Sequence, residues 1–474
     1  MSFIYVHPSA SKSAVINFIK NEHDNCNTDI HAFSVIKGGT LLCRAAISPY
    51  QIYDNKQLYS LSKSFCSTAV GFAVDEGLFK VTDRIVDIFK EDCPEVISDR
   101  LSRMTVHNVL TMSTGHKGCV MNVMHSAENP VKAFFAEELV YEPGEKFIYN
   151  TGATLLLSII VQKYTGKTVY EYLYEKFFKY LDHAPERWDI IPTGYAEGGV
   201  GLYAQIKDIE NLGMLYMNGG KLNGKQILSK EWTELATSSQ INNAGNGTSD
   251  WCAGYGYQFW MNKNGGFRGD GAFGQLCFAL PHKDMLISVQ CQCFADMQKE
   301  INGIYDLADT ILGDDTATPE ELVDFINNFY APNKSEIQEF DGFTKTYALA
   351  ENTMNVKYVG FSRNEDQVSI KLITAGNTQY INAASGEYIN NKLWLTAFKP
   401  TLTPFVPMRN EECIFACHIE ECTNDKLVLF YRFKNCPHSG RMIFTVKNEK
   451  LTASFNPICG SMYEGAKVLN GHEM

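Results

Sequence analysis

The sequence predicts a mixed α/β (α+β) chain in two parts. An antiparallel sheet flanked by helices, with a helical subdomain inserted, precedes a C-terminal domain built mostly of antiparallel strands. Three observations lead there. Strand-like segments come first, then a long run of helical ones, then strands and a last helix, an order that suits an antiparallel sheet better than a βαβ repeat. The stretch "GDDTATPEELVDF" interrupts that order near residue 315. Beyond it, "VSIKLITA", "KLWLTAF" and "KLVLFYRF" alternate with Asn, Gly and Asp turns. The expected boundaries are 1–315 and 316–474.

Along the first part, "SASKSAVINFIKNE" has helical periodicity, with Val15, Phe18 and Ile19 on one face. "AFSVIKGGTLLCRAAI" reads as two strands around a Lys-Gly-Gly turn. Residues 60–78 read as a helix that is apolar on most sides, and helices are also expected over 105–112, 152–164, 169–179 and 206–218. "GYGYQFWM", "GAFGQLCFALP" and "DMLISVQCQCF" read as three strands, followed by a helix over 298–312. Thr318-Pro319-Glu320-Glu321 is a capping-box pattern with proline at the first helical position.

The 474 residues exceed one typical domain of about 100–200 residues. A hydrophobic content of 45% supplies a sizeable core. The net charge of -12, with no dense Lys/Arg stripe, removes the electrostatic basis for nucleic-acid binding and disfavours an anionic membrane surface. No apolar run reaches membrane-spanning length; "TLLLSIIV" is about the best. The N-terminal residues do not read as a signal peptide. The 14 cysteines are scattered without zinc-site spacing, which predicts buried thiols in a reducing cytoplasm and no metal or organic cofactor.

Ser-x-x-Lys occurs three times, at Ser9–Lys12, Ser34–Lys37 and Ser60–Lys63. A lysine can take a proton from a serine three residues away on a helix, where both share a face, but not on a strand. The predicted strand excludes Ser34. Ser9 starts an amphipathic helix, which makes it an N-cap and leaves Lys12 solvated. Ser60 opens "SLSKSFCSTAVGFAV", a nearly charge-free helix that takes Lys63 into a dry environment, where desolvation lowers a lysine pKa. The helix start also offers backbone N–H groups to a developing oxyanion.

"YSLSKSFCSTAVGFAVDEGLFKVTD", "MTVHNVLTMSTGH", "PGEKFIYNTGATLLLSIIVQKYTGKTVYEYL", "EGGVGLYAQIKDIENLGMLYMNGGKLNGKQIL" and "FRGDGAFGQLCFALPHKDMLISV" follow one another in order. Together they resemble the serine β-lactamase and penicillin-binding-protein superfamily, most of all its class C-like esterase group, over residues 10–312. The resemblance implies Ser60 as nucleophile, with Lys63 and Tyr149 as the proton relay. The N–H groups of Ser60 and Ala272 would form the oxyanion hole, and Thr151, Gly269, Asp270 and Gly271 would meet the substrate. A tyrosine with an unperturbed pKa of about 10 needs a neighbouring cation to act as a base. Thr151 stands where the family's Tyr-x-Asn has its amide, and Gly269-Asp270-Gly271 stand in for Lys-Thr-Gly or His-x-Gly. Arg268 shares strand parity with Asp270 and is placed to neutralise it, while a free anion there would repel a carboxylate. Neutral or cationic esters and amides are therefore expected in preference to β-lactams. His116 and His107 read as structural.

The function expected is a cytoplasmic serine hydrolase cleaving a small ester or amide through an acyl-enzyme. The rivals are a β-lactamase or D,D-peptidase-type penicillin-binding protein, and a catalytically silent sensor on the same fold. The C-terminal domain resembles the lipocalin-like barrels appended to some relatives. Covering the pocket mouth and homo-oligomerisation both stay open as its roles.

Overall fold

The first part of the chain builds a seven-stranded antiparallel sheet from its two ends. The near end supplies β1 (Ile4–Val6), β2 (Thr28–Lys37) and β3 (Thr40–Ala46); the far end supplies β4 (Trp260–Met261), β5 (Phe267–Gly271), β6 (Gln275–Leu280) and β7 (Met285–Cys293). The spatial order is β1-β3-β2-β7-β6-β5-β4, so the two ends meet where β2 pairs with β7. The expected Lys-Gly-Gly turn is present, with Gly38 and Gly39 both at positive φ (55° and 73°), the dihedrals a two-residue hairpin needs. The computed structural model describes residues 3–245, 247–293, 296–396, 410–458 and 467–474.

The segment "GYGYQFWM" is a strand only at Trp260–Met261. Its upstream carbonyls are taken by a helix: Ser64 donates to the Gln258 carbonyl at 2.8 Å and Ser67 to the Tyr257 carbonyl at 2.7 Å. Gln258 sits at φ 64°, outside the extended region. Hydroxyls on the central helix thus replace a strand partner that alternation alone would suggest.

Helices α1 (Lys12–Cys26), α4 (Ile206–Met217) and α5 (Met297–Thr310) cover the sheet, while α2 (Ser62–Asp75) packs beside β5 and against α3 (Thr151–Thr165). The N-cap of α1 is Ser11, which accepts from the Ala14 N–H at 3.2 Å; Ser9 instead hydrogen-bonds the His7 ring. Lys12 is not solvated but ion-paired with Asp315 at 2.7 Å. On one sheet face Phe18 of α1 packs edge-on against Phe33, and Tyr305 of α5 against Phe278. On the other, Gly213 of α4 lies against Leu286 and Cys277. Helix α2 is buried from Ser62 to Ala73, which fits its apolar sequence on all sides.

Residues 3–45 and 55–322 form one compact unit; residues 46–54 join 323–474 in a second. Within that second unit Asp54 pairs with Lys434 at 3.3 Å. The helix α6 (Pro319–Asn328) begins at the predicted capping box, where the Glu321 N–H donates to Thr318 Oγ1 at 3.1 Å and the Thr318 N–H to the Glu321 carboxylate at 2.7 Å.

The second unit is a ten-stranded sheet: β8 (Thr346–Leu349), β9 (Val356–Asn364), β10 (Gln367–Thr374), β11 (Thr378–Ala384), β12 (Ile389–Thr396), β13 (Asn410–Cys422), β14 (Lys426–Phe433), β15 (Ser439–Lys447), β16 (Lys450–Ile458) and β17 (Lys467–Glu473). Its order, β11-β10-β9-β8-β17-β16-β15-β14-β13-β12, closes into a barrel through a β11–β13 bridge at Ala384 and His418 and through side chains. Gln379 accepts from the Trp394 N–H (2.7 Å) and donates to its carbonyl (2.8 Å). Asn391 does the same for Asn382 (2.8 and 2.9 Å). The interior is filled by buried side chains such as Phe361, Ile370, Phe415, Tyr431 and Phe444. Of the predicted strand "KLWLTAF", Ala397 and Phe398 lie outside the described residues. Among the described residues no helix is long and apolar enough to cross a membrane, and no group of three or more His, Cys, Asp or Glu could hold a metal ion.

Candidate active site

The chain enters α2 through a single 3₁₀ turn, Tyr59–Leu61, which carries Ser60. Tyr59 is held at φ 49°, a strained conformation for an aromatic residue, and its ring packs edge-on against Phe273 at 5.2 Å. Ser60 is half-buried, and Lys63, one turn later, is 1% exposed. The Lys63 amine donates to Ser60 Oγ at 3.0 Å and to the Gly199 carbonyl at 2.8 Å. Burial lowers the Lys63 pKa to about 7, against the pull of nearby Cys119, Cys66 and Asp270 towards the charged form. Of the other two Ser-x-x-Lys copies, Ser34–Lys37 lies on a strand as expected, whereas Ser9 precedes the true N-cap, Ser11, and its Lys12 is ion-paired.

Tyr149 comes from the segment that precedes α3. Its hydroxyl hydrogen-bonds Ser60, and its ring centroid lies 4.9 Å from the Lys63 amine. Burial pushes the phenol well above its ordinary pKa, with the Ser60 hydrogen bond opposing. A larger share of the lysine is thus neutral and free to accept a proton, and the phenol is kept neutral. Tyr149 also stacks on Trp260, with centroids 5.6 Å apart and planes at 23°. Asn150 caps α3, accepting from the Gly152 N–H at 3.0 Å, and also accepts from the Val120 N–H at 3.1 Å. Thr151 is the buried first residue of α3, and its methyl group faces Gly199.

Strand β5 lies beside the 3₁₀ turn. A Cβ on Gly269 would fall 2.4 Å from Leu61 Cδ1 and 2.9 Å from Ser64 Oγ; one on Gly271 would fall 2.2 Å from the Leu58 carbonyl oxygen. Both glycines are therefore needed for close approach to the nucleophile turn, where close approach to a substrate was expected. β4 pairs only with Phe267 and Arg268, so residues 269–271 have no strand partner on that side among the described residues. Ala272 follows in the three-residue turn to Gln275.

Because side chains alternate along a strand, Arg268 and Asp270 occupy the opposite face. Asp270 accepts from Arg268 Nε at 3.0 Å, and Trp251 hydrogen-bonds it as well. Arg268 is fully buried, donates to the Met261 carbonyl at 3.0 Å and stacks on Trp251 at 4.8 Å. Burial raises the Asp270 pKa, and Arg268 opposes that. Asp270 is thus not offered to a substrate as a free anion: it is spent on the arginine. His116 is also buried, between Thr114 Oγ1 (2.9 Å) and the Phe134 carbonyl (3.3 Å), and burial lowers it to about 4. His107 is bonded to the Tyr257 hydroxyl.

Two participants escaped the sequence reading. Gly199 was visible only as part of a glycine-rich stretch, whose glycines let the backbone lie against Thr151 and Thr154. Trp260 carries no signal in the sequence beyond that of a strand residue.

A family model described as "Beta-lactamase" matches residues 32–310. The 6-aminohexanoate-dimer hydrolase of Paenarthrobacter ureafaciens is 27% identical over 279 residues, covering 54% of this chain and 71% of that protein. A penicillin-binding protein homologue from Caulobacter crescentus superposes with a TM-score of 0.51 at 15% identity, covering 64% of this chain and 100% of its own. SurE, solved with D-Leu, superposes with a TM-score of 0.50 at 14% identity over 98% of this chain and 99% of its own, which extends the likeness of fold to both units. With more than half of its length matched by the family model, the chain belongs to the beta-lactamase family and is a serine hydrolase.

Proposed function

We propose that this hydrolase cleaves a small neutral ester or amide through an acyl-enzyme on Ser60. The observation that carries the reading is the buried Lys63 amine 3.0 Å from Ser60 Oγ. With its pKa lowered to about 7, much of the amine is neutral near neutral pH and can accept a proton. Lys63 takes the Ser60 proton as Oγ attacks the carbonyl carbon. The N–H groups of Ser60 and Ala272 receive the oxyanion, an interaction worth about 2.7–4 kcal/mol of barrier per donor. As the tetrahedral adduct collapses, the Tyr149 hydroxyl protonates the leaving oxygen or nitrogen and recovers a proton from the Lys63 ammonium. Water then releases the acid by the same relay in reverse.

Two features support neutral substrates. The position that carries a cation in Lys-Thr-Gly is Gly269, and the nearby charges, Arg268 and Asp270, neutralise each other. Phe147, Tyr149 and Trp260 add a half-buried aromatic group beside the nucleophile. The likeness to a 6-aminohexanoate-dimer hydrolase supports an amide among the substrates. Cysteines scattered without a disulfide framework support action in the cytoplasm. We assign the chemistry to the first domain, 1–315, and none of it to 316–474.

Intact-mass measurement after treatment with a fluorophosphonate tests the reading. One adduct is expected on the wild type and none on Ser60→Ala; an unlabelled wild type, or a labelled Ser60→Ala, overturns it.

A further inference from the structure

Behind the turn that carries Ala272, on the α5 face of the sheet, lie two carboxyl groups that the hydrolytic reading does not use. Glu22 of α1 and Glu300 of α5 are both completely buried. Oε2 of Glu300 has no hydrogen-bond partner, and the Glu22 carboxyl meets only the Cys26 thiol. The charged and titratable groups that act on them include Cys26 from α1, Asp306 from α5, Cys291 and Cys293 from β7, and Asp270 from β5. Of the cations nearby, Lys299 acts on Cys26, and Arg268 and Lys63 act on Asp270.

These groups reach the turn directly. The Cys291 sulfur lies 3.3 Å from Glu300 Oε1, 3.3 Å from the Phe273 carbonyl oxygen and 3.2 Å from that of Gly274. A Cβ on Gly274 would fall 2.5 Å and 2.6 Å from the two Glu300 oxygens, so the turn backbone rests on the carboxyl. Gly303 meets Glu22 Oε1 in the same way. Cys291 has one proton and three acceptors within reach. A neutral Glu300 leaves that proton to the turn carbonyls; an ionised one draws it away, because an anionic acceptor forms the stronger bond.

We propose that Glu300, kept uncharged beside Glu22, is a positioning residue for hydrolysis: its neutral carboxyl supports the 272–274 turn, and losing its proton moves the Ala272 N–H off the oxyanion. This rests on the assignment of Ala272 as an oxyanion donor. In support, burial and Glu300 raise Glu22 to about 9 against a Cys26 hydrogen bond, and burial and Asp270 raise Glu300 to about 8 against the hydrogen bond from Cys291.

The test is the pH dependence of kcat and KM on a p-nitrophenyl ester, with spontaneous hydrolysis subtracted, for wild type and Glu300→Gln. Glutamine keeps the shape and cannot ionise. The wild type is expected to lose at least about 10-fold in kcat in the alkaline range with KM little changed. Glu300→Gln is expected to keep its kcat there, while the acid limb set by Lys63 stays where it was. A wild type with no alkaline limb, or a limb identical in Glu300→Gln, overturns the inference. Should Glu300→Gln fail to fold, the labelling rate of wild-type Ser60 by a fluorophosphonate across the same pH range decides: an alkaline fall supports the inference and a flat rate overturns it. A wild type that is never labelled at Ser60 overturns the hydrolase reading itself.

Discussion

The Lys63 amine donates to the Gly199 carbonyl at 2.8 Å, so the base is held from a loop 136 residues further along the chain. A Cβ on Gly199 would fall 2.6 Å from Thr151 Cγ2. Gly199→Ala must therefore push the loop off α3 and take the carbonyl with it. A displacement of about 1 Å near reacting groups costs on the order of 10²-fold in rate. Steady-state kinetics on an ester should show that loss mainly in kcat, with the fold intact by circular dichroism.

Lys63 also sets a pH dependence. Its folded pKa, about 7, lies below the ordinary 10.5, so between those values the unfolded chain binds more protons and stability rises with pH. Activity should rise through about pH 7 as the amine loses its proton. Lys63→Met should be inactive and, at acidic pH, more stable than wild type. That advantage should shrink steadily as pH climbs towards 10.5, which urea titrations at a series of pH values would reveal.

Breaking the buried Arg268–Asp270 pair should be costly. Arg268→Met strands a carboxylate in a dry site, for which about 3–5 kcal/mol of destabilisation is expected. The double variant Arg268→Met/Asp270→Leu removes both charges and should recover most of that loss in chemical denaturation.

Carboxylate-bearing β-lactams should be poor substrates. Adding the usual cation at 269 will not rescue them, because any Cβ there strikes Leu61 and Ser64. Gly269→Lys is expected to lose ester hydrolysis, with an overpacking cost of about 1–3 kcal/mol, and to gain no penicillin turnover. Hydrolysis rates of benzylpenicillin and a p-nitrophenyl ester on both proteins would check this.

Much of the architecture was legible because local signals agreed with it. The charge-free stretch after Ser60 required burial on all sides, and α2 is buried from Ser62 to Ala73. The Gly38-Gly39 turn and the Thr318 capping box lie where their residues put them. What stayed hidden depended on partners distant in sequence. Nothing near Tyr257 or Gln258 announces that Ser64 and Ser67 will take their carbonyls. Strand parity paired Arg268 with Asp270 correctly, but only the clash of Gly269 with Leu61 shows that they face away from the nucleophile turn. The Gly199 anchor is a backbone contact, and backbone contacts leave no side-chain signature to read.

The Gln379 and Asn391 bridges bear on whether a further strand can add to the edges of the sheet. A sheet that ends in two bare strands invites other molecules to add to its edges. Here the terminal strands, β11 and β12, are consecutive in the chain, separated only by residues 385–388, so bringing them together costs little loop entropy. Two amides then occupy the backbone groups of Asn382 and Trp394 that an incoming strand would need. Fibre-like growth from these rungs would first have to displace two side chains already bonded there.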